Sequence, residues 1–222
     1  MARDQRGIMN NKVTIIDYGA GNLLSVRRAF EHFGAQVTIA DTHSAIDAAD
    51  RLVLPGVGAF GKGMEQLQKR RLIWAIQGFA TLGRPLLGIC LGMQMLLEES
   101  EEFGTHAGLG LIPGRVVALP KQDKEGKPLC IPHIGWNGVL PLHTLSDWQK
   151  TALEGTKEGE NFYFVHSFQA QPTDPTHGLA HCLYGGLPVC AVIHRDNLTG
   201  CQFHPEKSGK SGLRVIQKFL QS

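Results

Sequence analysis

Short apolar runs alternate with helical patterns along the first half of the chain. The apolar and β-rich runs predict strands at 13–17, 36–40, 51–54 and 84–90, and apolar residues at helical spacing predict helices at 25–33 and 62–79. This alternation is typical of a parallel sheet with helices on both faces. Ligands of such sheets bind beyond the carboxyl ends of the strands, where Cys90 and the loop 55–58 are expected.

The second half has a different pattern, in which β-branched and aromatic residues are interrupted by Pro and Gly. It predicts antiparallel or mixed strands that extend the same sheet, at 115–119, 162–168, 181–184, 189–194 and 199–204. An amphipathic helix is predicted at 212–220. The polar connections at 122–127 and 147–160 are too short to separate two domains. We therefore predict one α/β domain over 12–222, preceded by a frayed leader at 1–11.

Composition excludes several classes of protein. A net charge of +2 with 19% charged residues is neither the basic footprint of a nucleic-acid-binding protein nor the polarity of a disordered chain. No apolar run approaches the length of a membrane span. The five cysteines are odd in number and form no C-x-x-C pair, which favours reduced thiols and a cytoplasmic location.

Cys90 lies where an apolar run meets a helix-forming stretch, between Gly88 and Gly92. This pattern is typical of a nucleophile elbow, a tight turn between strand and helix that tolerates almost no neighbouring side chains. A thiol there sits at a helix N-terminus, where unpaired N–H groups favour the thiolate. A lone cysteine in an apolar run is more often an inert core residue, so the interpretation depends on residues elsewhere.

Two residues near the C-terminal end supply the groups that a thiol nucleophile needs. His204 and Glu206 stand two apart at the end of a predicted strand, and residues two apart in extended chain project to the same side. An imidazole takes the thiol proton, and a carboxylate on its far nitrogen fixes the tautomer. Alone, the pair more often marks a hydrogen-bonded histidine beside a solvated carboxylate. Together with the elbow at Cys90, it predicts a Cys-His-Glu triad.

The loop Pro55-Gly56-Val57-Gly58 follows the third predicted strand. Its glycine-rich backbone can present N–H groups to a tetrahedral oxyanion, and the amide of Leu91, directly after the nucleophile, is a natural second donor. An ordinary turn between a strand and a helix fits the same residues.

Other motifs do not lead to a cofactor or a metal. The stretch 56–61 matches G-x-G-x-x-G, but no Asp or Glu occurs between Glu65 and Glu98 to bind a ribose. The stretch 209–211 lacks the first glycine of a phosphate-binding loop. Ten histidines are present without H-E-x-x-H or paired-cysteine spacing, so zinc is not expected. We predict no cofactor.

Five motifs in order carry a resemblance to a known family. Cys90 in Gly-Ile-Cys-Leu-Gly-Met-Gln, with the stretch Gln-Phe-His-Pro-Glu at 202–206, resembles the class I (triad) glutamine amidotransferases. The resemblance narrows to the glutaminase subunits of imidazole glycerol phosphate synthases, in histidine biosynthesis, on the stretches 55–60, 133–137, 163–167 and 204–209. It covers about 13–220 and implies a flavodoxin-like fold: a central, mostly parallel sheet flanked by helices, with added antiparallel strands in the second half.

The resemblance also implies roles for individual residues. Cys90 attacks the side-chain carboxamide of glutamine, His204 shuttles the proton and Glu206 orients His204. The backbone of Val57 and Leu91 forms the oxyanion hole. The residues implied in glutamine binding are Gly58, Gln94, Glu102, His166 and Ser167, and those implied in a face toward a partner are Tyr163, Lys207, Trp136 and Asn137.

Ammonia needs an acceptor, and the chain offers no room for an acceptor domain. The stretch before Cys90 forms the first half of the sheet, and only 207–222 follow Glu206. The resemblance implies that the acceptor reaction occurs on a (β/α)₈-barrel cyclase subunit in a heterodimer, which forms imidazole glycerol phosphate and aminoimidazole carboxamide ribotide. Alone, the chain is expected to be a poor glutaminase, because flanking glycines let the Val57 amide point away from the oxyanion.

Three alternatives remain open at this stage. A paralogous subunit that supplies ammonia to a surface-sugar amidotransferase has the same motifs. A non-catalytic binding member of the fold is a second alternative, although Cys90, His204 and Glu206 are all present. A cysteine peptidase is the third, although no extended substrate groove is evident.

Overall fold

A computed structural model describes residues 11–144 and 148–222. The predicted leader at 1–11 lies outside the described residues, apart from Asn11. Within the described ranges, no helix is both long enough and apolar enough to cross a membrane.

The first half of the chain forms the predicted alternation of strands and helices. The strands are β1 (Lys12–Ile16), β2 (Gln36–Ala40), β3 (Leu52–Gly56) and β4 (Leu86–Cys90), and the helices are α1 (Leu23–Glu31), α2 (His43–Asp47), α3 (Phe60–Lys69), α4 (Ile73–Thr81) and α5 (Leu91–Met95). The four predicted strands and the first predicted helix are confirmed. The short helix α2, capped by the Thr42 side chain on the Ala45 amide, was not predicted.

The single helix predicted at 62–79 is wrong, because a turn divides it into α3 and α4. Arg71 adopts a left-handed conformation with φ of 58°, and the Leu72 amide donates to the Leu67 carbonyl, which closes the end of α3. Buried apolar residues continue across the turn, and no glycine or proline marks it. Apolar spacing alone therefore does not reveal the break.

The second half consists almost entirely of strands. They are β5 (Leu97–Ser100), β6 (His106–Ala107), β7 (Ile112–Ala118), β8 (His133–Pro141), β9 (Glu160–His166), β10 (Phe168–Pro172), β11 (Gly178–Tyr184), β12 (Leu187–Arg195) and β13 (Leu198–Cys201), followed by α6 (Gly209–Gln221). The strands β5, β6 and β8 were not predicted. In β8, glycines and polar residues interrupt the pattern.

Nine strands of the described chain form one mixed sheet, in the order β2-β1-β3-β4-β13-β12-β11-β8-β9. The strands from β2 to β13 are parallel, and those from β12 to β9 add antiparallel pairs. The predicted α/β fold, a central sheet flanked by helices and extended by antiparallel strands, is confirmed.

One part of the strand prediction is wrong, since residues 115–119 do not extend the large sheet. Residues 115–118 belong to β7, which lies in a separate sheet of the described chain with the order β10-β7-β5-β6. The predicted strand 162–168 is also divided: β9 ends at His166 in the large sheet, and β10 begins at Phe168 in the small one. The chain therefore crosses between the sheets at Ser167.

Apolar residues cover both faces of the large sheet. On one face, α1 and α6 pack together, with the rings of Phe30 and Phe219 at 6.1 Å between centroids. On the other face, α3, α4 and α5 bury Phe60, Leu67 and Phe79. Because β3 and β4 are buried on both sides, they consist of apolar residues and glycine rather than an alternating pattern.

Candidate active site

The carboxyl ends of three parallel neighbours, β3, β4 and β13, bring the chemical motifs together. In register, Gly56 of β3 pairs with Cys90 of β4, and Cys201 of β13 pairs with Ile89. The loop that begins at Val57 and the stretch that begins at Gln202 therefore leave the sheet on either side of Cys90. Val57 and Gln202, more than 30 and more than 100 residues from Cys90 in the sequence, thus lie next to it in the fold.

Cys90 stands on a strained turn between β4 and α5. Its φ of 54° and ψ of −110° are unusual for a residue with a side chain. Gly92 is required beside it, since a Cβ there would lie 1.8 Å from the Leu54 carbonyl oxygen. A Cβ on Gly88 would lie 2.7 Å from the Gly92 oxygen. This close approach explains the glycine on each side of the thiol.

His204 and Glu206 form a buried ion pair. The distance from His204 Nδ1 to Glu206 Oε1 is 2.8 Å, and both side chains are at most 2% exposed. The extended geometry expected for this pair is wrong, because β13 ends at Cys201 and Pro205–Lys207 form a 3₁₀ turn. The turn, and not strand alternation, brings the carboxylate back onto the imidazole.

The backbone of His204 is held against the edge strand β9. Its amide donates to the Tyr163 carbonyl at 2.9 Å, and its carbonyl accepts from Ser208 Oγ at 2.6 Å. The same hydroxyl accepts from the Tyr163 amide at 2.9 Å. The buried Ser208 thus joins the histidine turn to β9 in a closed ring of hydrogen bonds.

The charge state of His204 follows from its surroundings. Burial lowers the pKa of this imidazole, but Cys90 and Glu206 act more strongly together and raise the pKa to about 9. Among the described residues, Nε2 has no hydrogen-bond partner at ordinary distance. This nitrogen, on the side away from Glu206, is therefore available to exchange a proton with the thiol or with a substrate.

A cavity of about 260 Å³ opens above the thiol. Its lining combines the nucleophile, the histidine and every residue predicted for the oxyanion hole and for glutamine binding: Val57, Gly58, Cys90, Leu91, Gln94, Glu102, Pro132, Val165, His166, Ser167, Phe168 and His204. Glu206 lies behind His204 and does not line the cavity. Three lining residues, Pro132, Val165 and Phe168, were not among the sequence candidates.

Two side chains of the cavity are held so that they present acceptors. Glu102 Oε2 accepts from the Phe60 amide at 2.5 Å, which attaches the carboxylate to the first turn of α3. Gln94 Nε2 donates to the Phe168 carbonyl at 3.1 Å and to Gln202 Oε1 at 3.0 Å. Because both protons of that nitrogen are used, Gln94 can offer a ligand its carbonyl oxygen.

His166 is a buried, neutral member of the cavity wall. Burial, with smaller contributions from His133 and His204, lowers its pKa to about 4, although the Phe168 carbonyl acts in the opposite direction. Its Nδ1 donates to that carbonyl at 2.8 Å, and its Nε2 lies 3.1 Å from His133 Nδ1. The imidazole therefore remains uncharged at neutral pH.

The residues expected to face a partner lie on three elements: Trp136 and Asn137 on β8, Tyr163 on β9, and Lys207 on the 3₁₀ turn. Trp136 is 58% exposed and meets Tyr163 on β9 edge to face, with 6.0 Å between ring centroids. Lys207 is exposed on the 3₁₀ turn next to Glu206. Asn137 points to the opposite face of the strand, where its amide donates to the Leu183 carbonyl at 2.8 Å. The place of Asn137 in a face toward a partner stays a prediction.

Three buried polar residues that contact the predicted site were not predicted: His133, Gln202 and Ser208. Each is buried, at 3%, 0% and 1% exposure. Each stands inside one of the stretches 133–137, 202–206 and 204–209 that carry the family resemblance, and that position was the available signal. Each has at least one partner far away in the sequence, namely His166 for His133, Cys90 for Gln202 and Tyr163 for Ser208, and no local pattern reveals such contacts.

Comparison with known families and proteins gives a consistent result. The family described as "Glutamine amidotransferase class-I" matches residues 14–222. The chain is 53% identical over 211 residues to the imidazole glycerol phosphate synthase subunit HisH 1 of Legionella pneumophila strain Lens, covering 95% of this chain and 99% of that protein. It is 45% identical to the HisH subunit of Syntrophotalea carbinolica, covering 93% of this chain and 98% of that protein.

Solved structures of low sequence identity have the same fold. PurLQS from Thermotoga maritima matches with a TM-score of 0.69 at 20% identity, over 96% of this chain and 99% of that chain. A glutamine amidotransferase from the same organism matches with a TM-score of 0.61 at 16% identity, over 94% and 81%. The fold is thus shared well beyond the range of close sequence similarity.

Proposed function

The chain belongs to the class I glutamine amidotransferase family, and we propose that it works as the glutaminase subunit of an imidazole glycerol phosphate synthase in histidine biosynthesis. One observation carries the proposal: Cys90 and His204 line one cavity, and Glu206 is hydrogen-bonded to that histidine from behind. HisH relatives over nearly the full length of the chain support the choice of pathway.

The chemistry begins from the state in which the thiol proton of Cys90 resides on His204 Nε2, a state that the raised pKa of this histidine favours. The sulfur attacks the side-chain carboxamide carbon of glutamine, and the histidine returns the proton to the leaving nitrogen, so ammonia departs and a thioester remains. Water, deprotonated by His204, then attacks the thioester and releases glutamate and the thiol. Glu206 stabilises the imidazolium that forms in each half of the cycle.

The tetrahedral intermediates carry negative charge on the former carbonyl oxygen. We assign its stabilisation to the backbone amides of Val57 and Leu91, both of which line the cavity. Leu91 begins α5, where the first amides of the helix have no intrahelical acceptor. Val57 directly follows the end of β3. We expect the partner to control whether the Val57 amide points toward the oxyanion.

Polar groups at the cavity wall fit the amino-acid end of glutamine. The Glu102 carboxylate and the Gly58 carbonyl suit the α-ammonium group, and Gln94 Oε1 is a further acceptor. Ser167 and the neutral His166 complete the wall without adding a positive charge. This set suits the α-ammonium group of an amino acid.

The names of the relatives imply that this chain works with a second subunit. We propose that the partner is a (β/α)₈-barrel cyclase that docks over Trp136, Tyr163 and Lys207, next to the strand that holds the backbone of His204. Ammonia then reaches the acceptor without meeting bulk water, where it would be protonated.

The test is to replace the nucleophile in the reconstituted complex. Cys90→Ala is expected to abolish glutamine-dependent synthesis of imidazole glycerol phosphate while free ammonia still supports it. Cys130→Ala, which removes an exposed thiol outside the cavity, is the matched control and is expected to retain both activities. Glutamine-driven synthesis by Cys90→Ala would overturn the assignment, and absence of any synthesis with a histidine-pathway cyclase would overturn the proposed pathway.

A further inference from the structure

Gln202 is a buried amide beside the nucleophile. It directly follows β13, whose last residue, Cys201, pairs with Ile89, so Gln202 lies next to the turn that carries Cys90. The side chain is fully buried, at 0% exposure. Burying an amide is costly unless its polar atoms are paired, so its partners indicate what it does.

The amide of Gln202 has its nitrogen directed at the sulfur. Nε2 donates to Cys90 Sγ at 3.7 Å, and Oε1 accepts from Gln94 Nε2 at 3.0 Å. The Phe168 carbonyl determines which way the Gln202 amide is turned. This carbonyl can only accept a hydrogen bond, and it accepts one from the Gln94 side chain. Gln94 must therefore present its nitrogen there, and Gln202 must meet that nitrogen with its oxygen.

The sulfur has two polar neighbours with opposite requirements. Cys90 Sγ donates to the Val165 carbonyl at 3.8 Å, a contact that exists while the thiol keeps its proton. The Gln202 amide can only donate through Nε2, and a donor contact strengthens when the acceptor is ionised. Loss of the proton to His204 thus weakens the first contact and strengthens the second.

Resting on the proposed function, we propose that Gln202 is a further catalytic residue, whose amide donates a hydrogen bond to the Cys90 thiolate and aims the sulfur at the substrate carboxamide. Gln94 is its positioning partner, in addition to lining the cavity. The Cys90 sulfur then interacts with the Gln202 amide, which directly follows β13, and with His204, which receives the thiol proton. Substitution of Gln202 should impair ionisation of the thiol more than binding of glutamine.

The experiment measures alkylation of Cys90 by iodoacetamide as a function of pH in the full chain. In Gln202→Met, which keeps the length of the side chain, we expect the midpoint of the alkylation profile to rise by about one pH unit, so that the alkylation rate at pH values below the midpoint falls about tenfold. In the complex, kcat for glutamine is expected to fall by a similar factor while KM changes less than twofold. Ammonia-dependent synthesis is expected to be unchanged.

Two further variants separate this role from a structural one. Gln77→Met also removes an amide that donates to a backbone carbonyl, that of Leu109 at 2.8 Å, but it lies on α4 outside the cavity, so the alkylation profile should not move. If Gln202→Met unfolds, Gln202→Glu decides, since it keeps the shape and the acceptor for Gln94 and places a negative charge beside the sulfur. An unchanged midpoint in the folded Gln202 variant would overturn the proposal.

Alkylation needs neither glutamine turnover nor the partner subunit. An unchanged alkylation profile therefore contradicts the role of Gln202 and leaves the proposed glutaminase activity standing. Conversely, failure of Cys90→Ala to abolish glutamine-dependent synthesis contradicts the proposed function, whatever the alkylation profile shows.

Discussion

His133 Nδ1 lies 3.1 Å from His166 Nε2, so two buried imidazoles are joined directly at the wall of the cavity. The Phe168 carbonyl accepts from His166 Nδ1, which leaves His166 Nε2 as an acceptor and His133 Nδ1 as the donor. His133 Nε2 then faces the amide of Asn137 at 3.5 Å. The hydrogen bonds from Asn137 through His133 to His166 therefore allow only one tautomer of each imidazole. Burial lowers the pKa of both histidines.

The first prediction concerns this pair of histidines. His133→Phe keeps an aromatic ring where His133 stacks between Phe164 and Tyr184, but it removes the donor to His166. The freed imidazole is then able to turn or change tautomer, and we expect KM for glutamine to rise about tenfold with little change in kcat, in line with the loss of about one hydrogen bond. Steady-state kinetics and nitrogen chemical shifts of the imidazoles measure the two effects.

The control for that substitution is His194→Phe. His194 also has a hydrogen-bonded ring, with Nδ1 3.0 Å from Thr199 Oγ1, but it does not line the cavity. Its KM for glutamine is expected to equal that of the unmodified chain. Equal KM values for the His133 and His194 variants would contradict a positioning role for the pair.

The second prediction concerns Glu206 and the pH dependence of stability. Although burial lowers it, the pKa of His204 is raised to about 9 by Cys90 and Glu206. A raised histidine pKa contributes stability that is fully present below the unfolded value of about 6.5 and is lost as pH rises through about 9. Glu206→Gln should therefore lower the free energy of unfolding by about 1–3 kcal/mol at pH 6, and the difference should shrink by pH 9.5.

Urea unfolding at pH 6.0, 7.5 and 9.5 measures this difference, with the exposed Glu158→Gln as the control. Glutamine turnover of Glu206→Gln is expected to fall by roughly 10²–10⁴, because the neutral amide no longer stabilises the imidazolium. A stability difference that stays constant across this pH range would show that Glu206 does not act through the charge of His204.

The third prediction concerns the elbow. Gly92→Ala forces a Cβ against the Leu54 carbonyl, so we expect a loss of about 3 kcal/mol or more in the free energy of unfolding and slower alkylation of Cys90. Gly78→Ala is the matched control, because it lies within α4 with open space around its Cα. It should stabilise the chain by about 0.5–1 kcal/mol. Similar urea midpoints for the two variants would refute the steric argument.

The fourth prediction concerns the proposed partner face. Trp136→Ala is expected to weaken binding of the cyclase subunit by tenfold to a hundredfold, since exposed tryptophans often dominate interface affinity. Trp74→Ala removes a tryptophan of greater exposure, 77%, from α4 and should bind normally. Calorimetric titration measures both affinities. If the two variants bind equally well, the partner docks elsewhere.

The pattern of apolar positions predicted those strands and helices whose own residues are continuously apolar or form a clear apolar face. β3 and β4 are continuous apolar segments, and α6 has a clear apolar face, so their sequences suffice. β8 was missed because its strand geometry depends on pairing with β9 and β11, not on its own composition. Arg71 was missed because tertiary packing imposes its left-handed turn on a residue that rarely adopts one.

The candidate site divides in the same way. The sequence by itself determined the identities of the thiol, the imidazole and the carboxylate, because each stands in a short motif whose glycine or proline neighbours have a local steric reason. Only the tertiary structure decided that Glu206 returns on a 3₁₀ turn, that Gln202 turns its nitrogen to Cys90, and that His133 meets His166. The contacts of Gln202 and His133 depend on how neighbouring strands pair, and no single stretch of sequence contains that register. The turn at Glu206 is local, but its closure is held by the hydrogen bonds of His204 and Ser208 to β9.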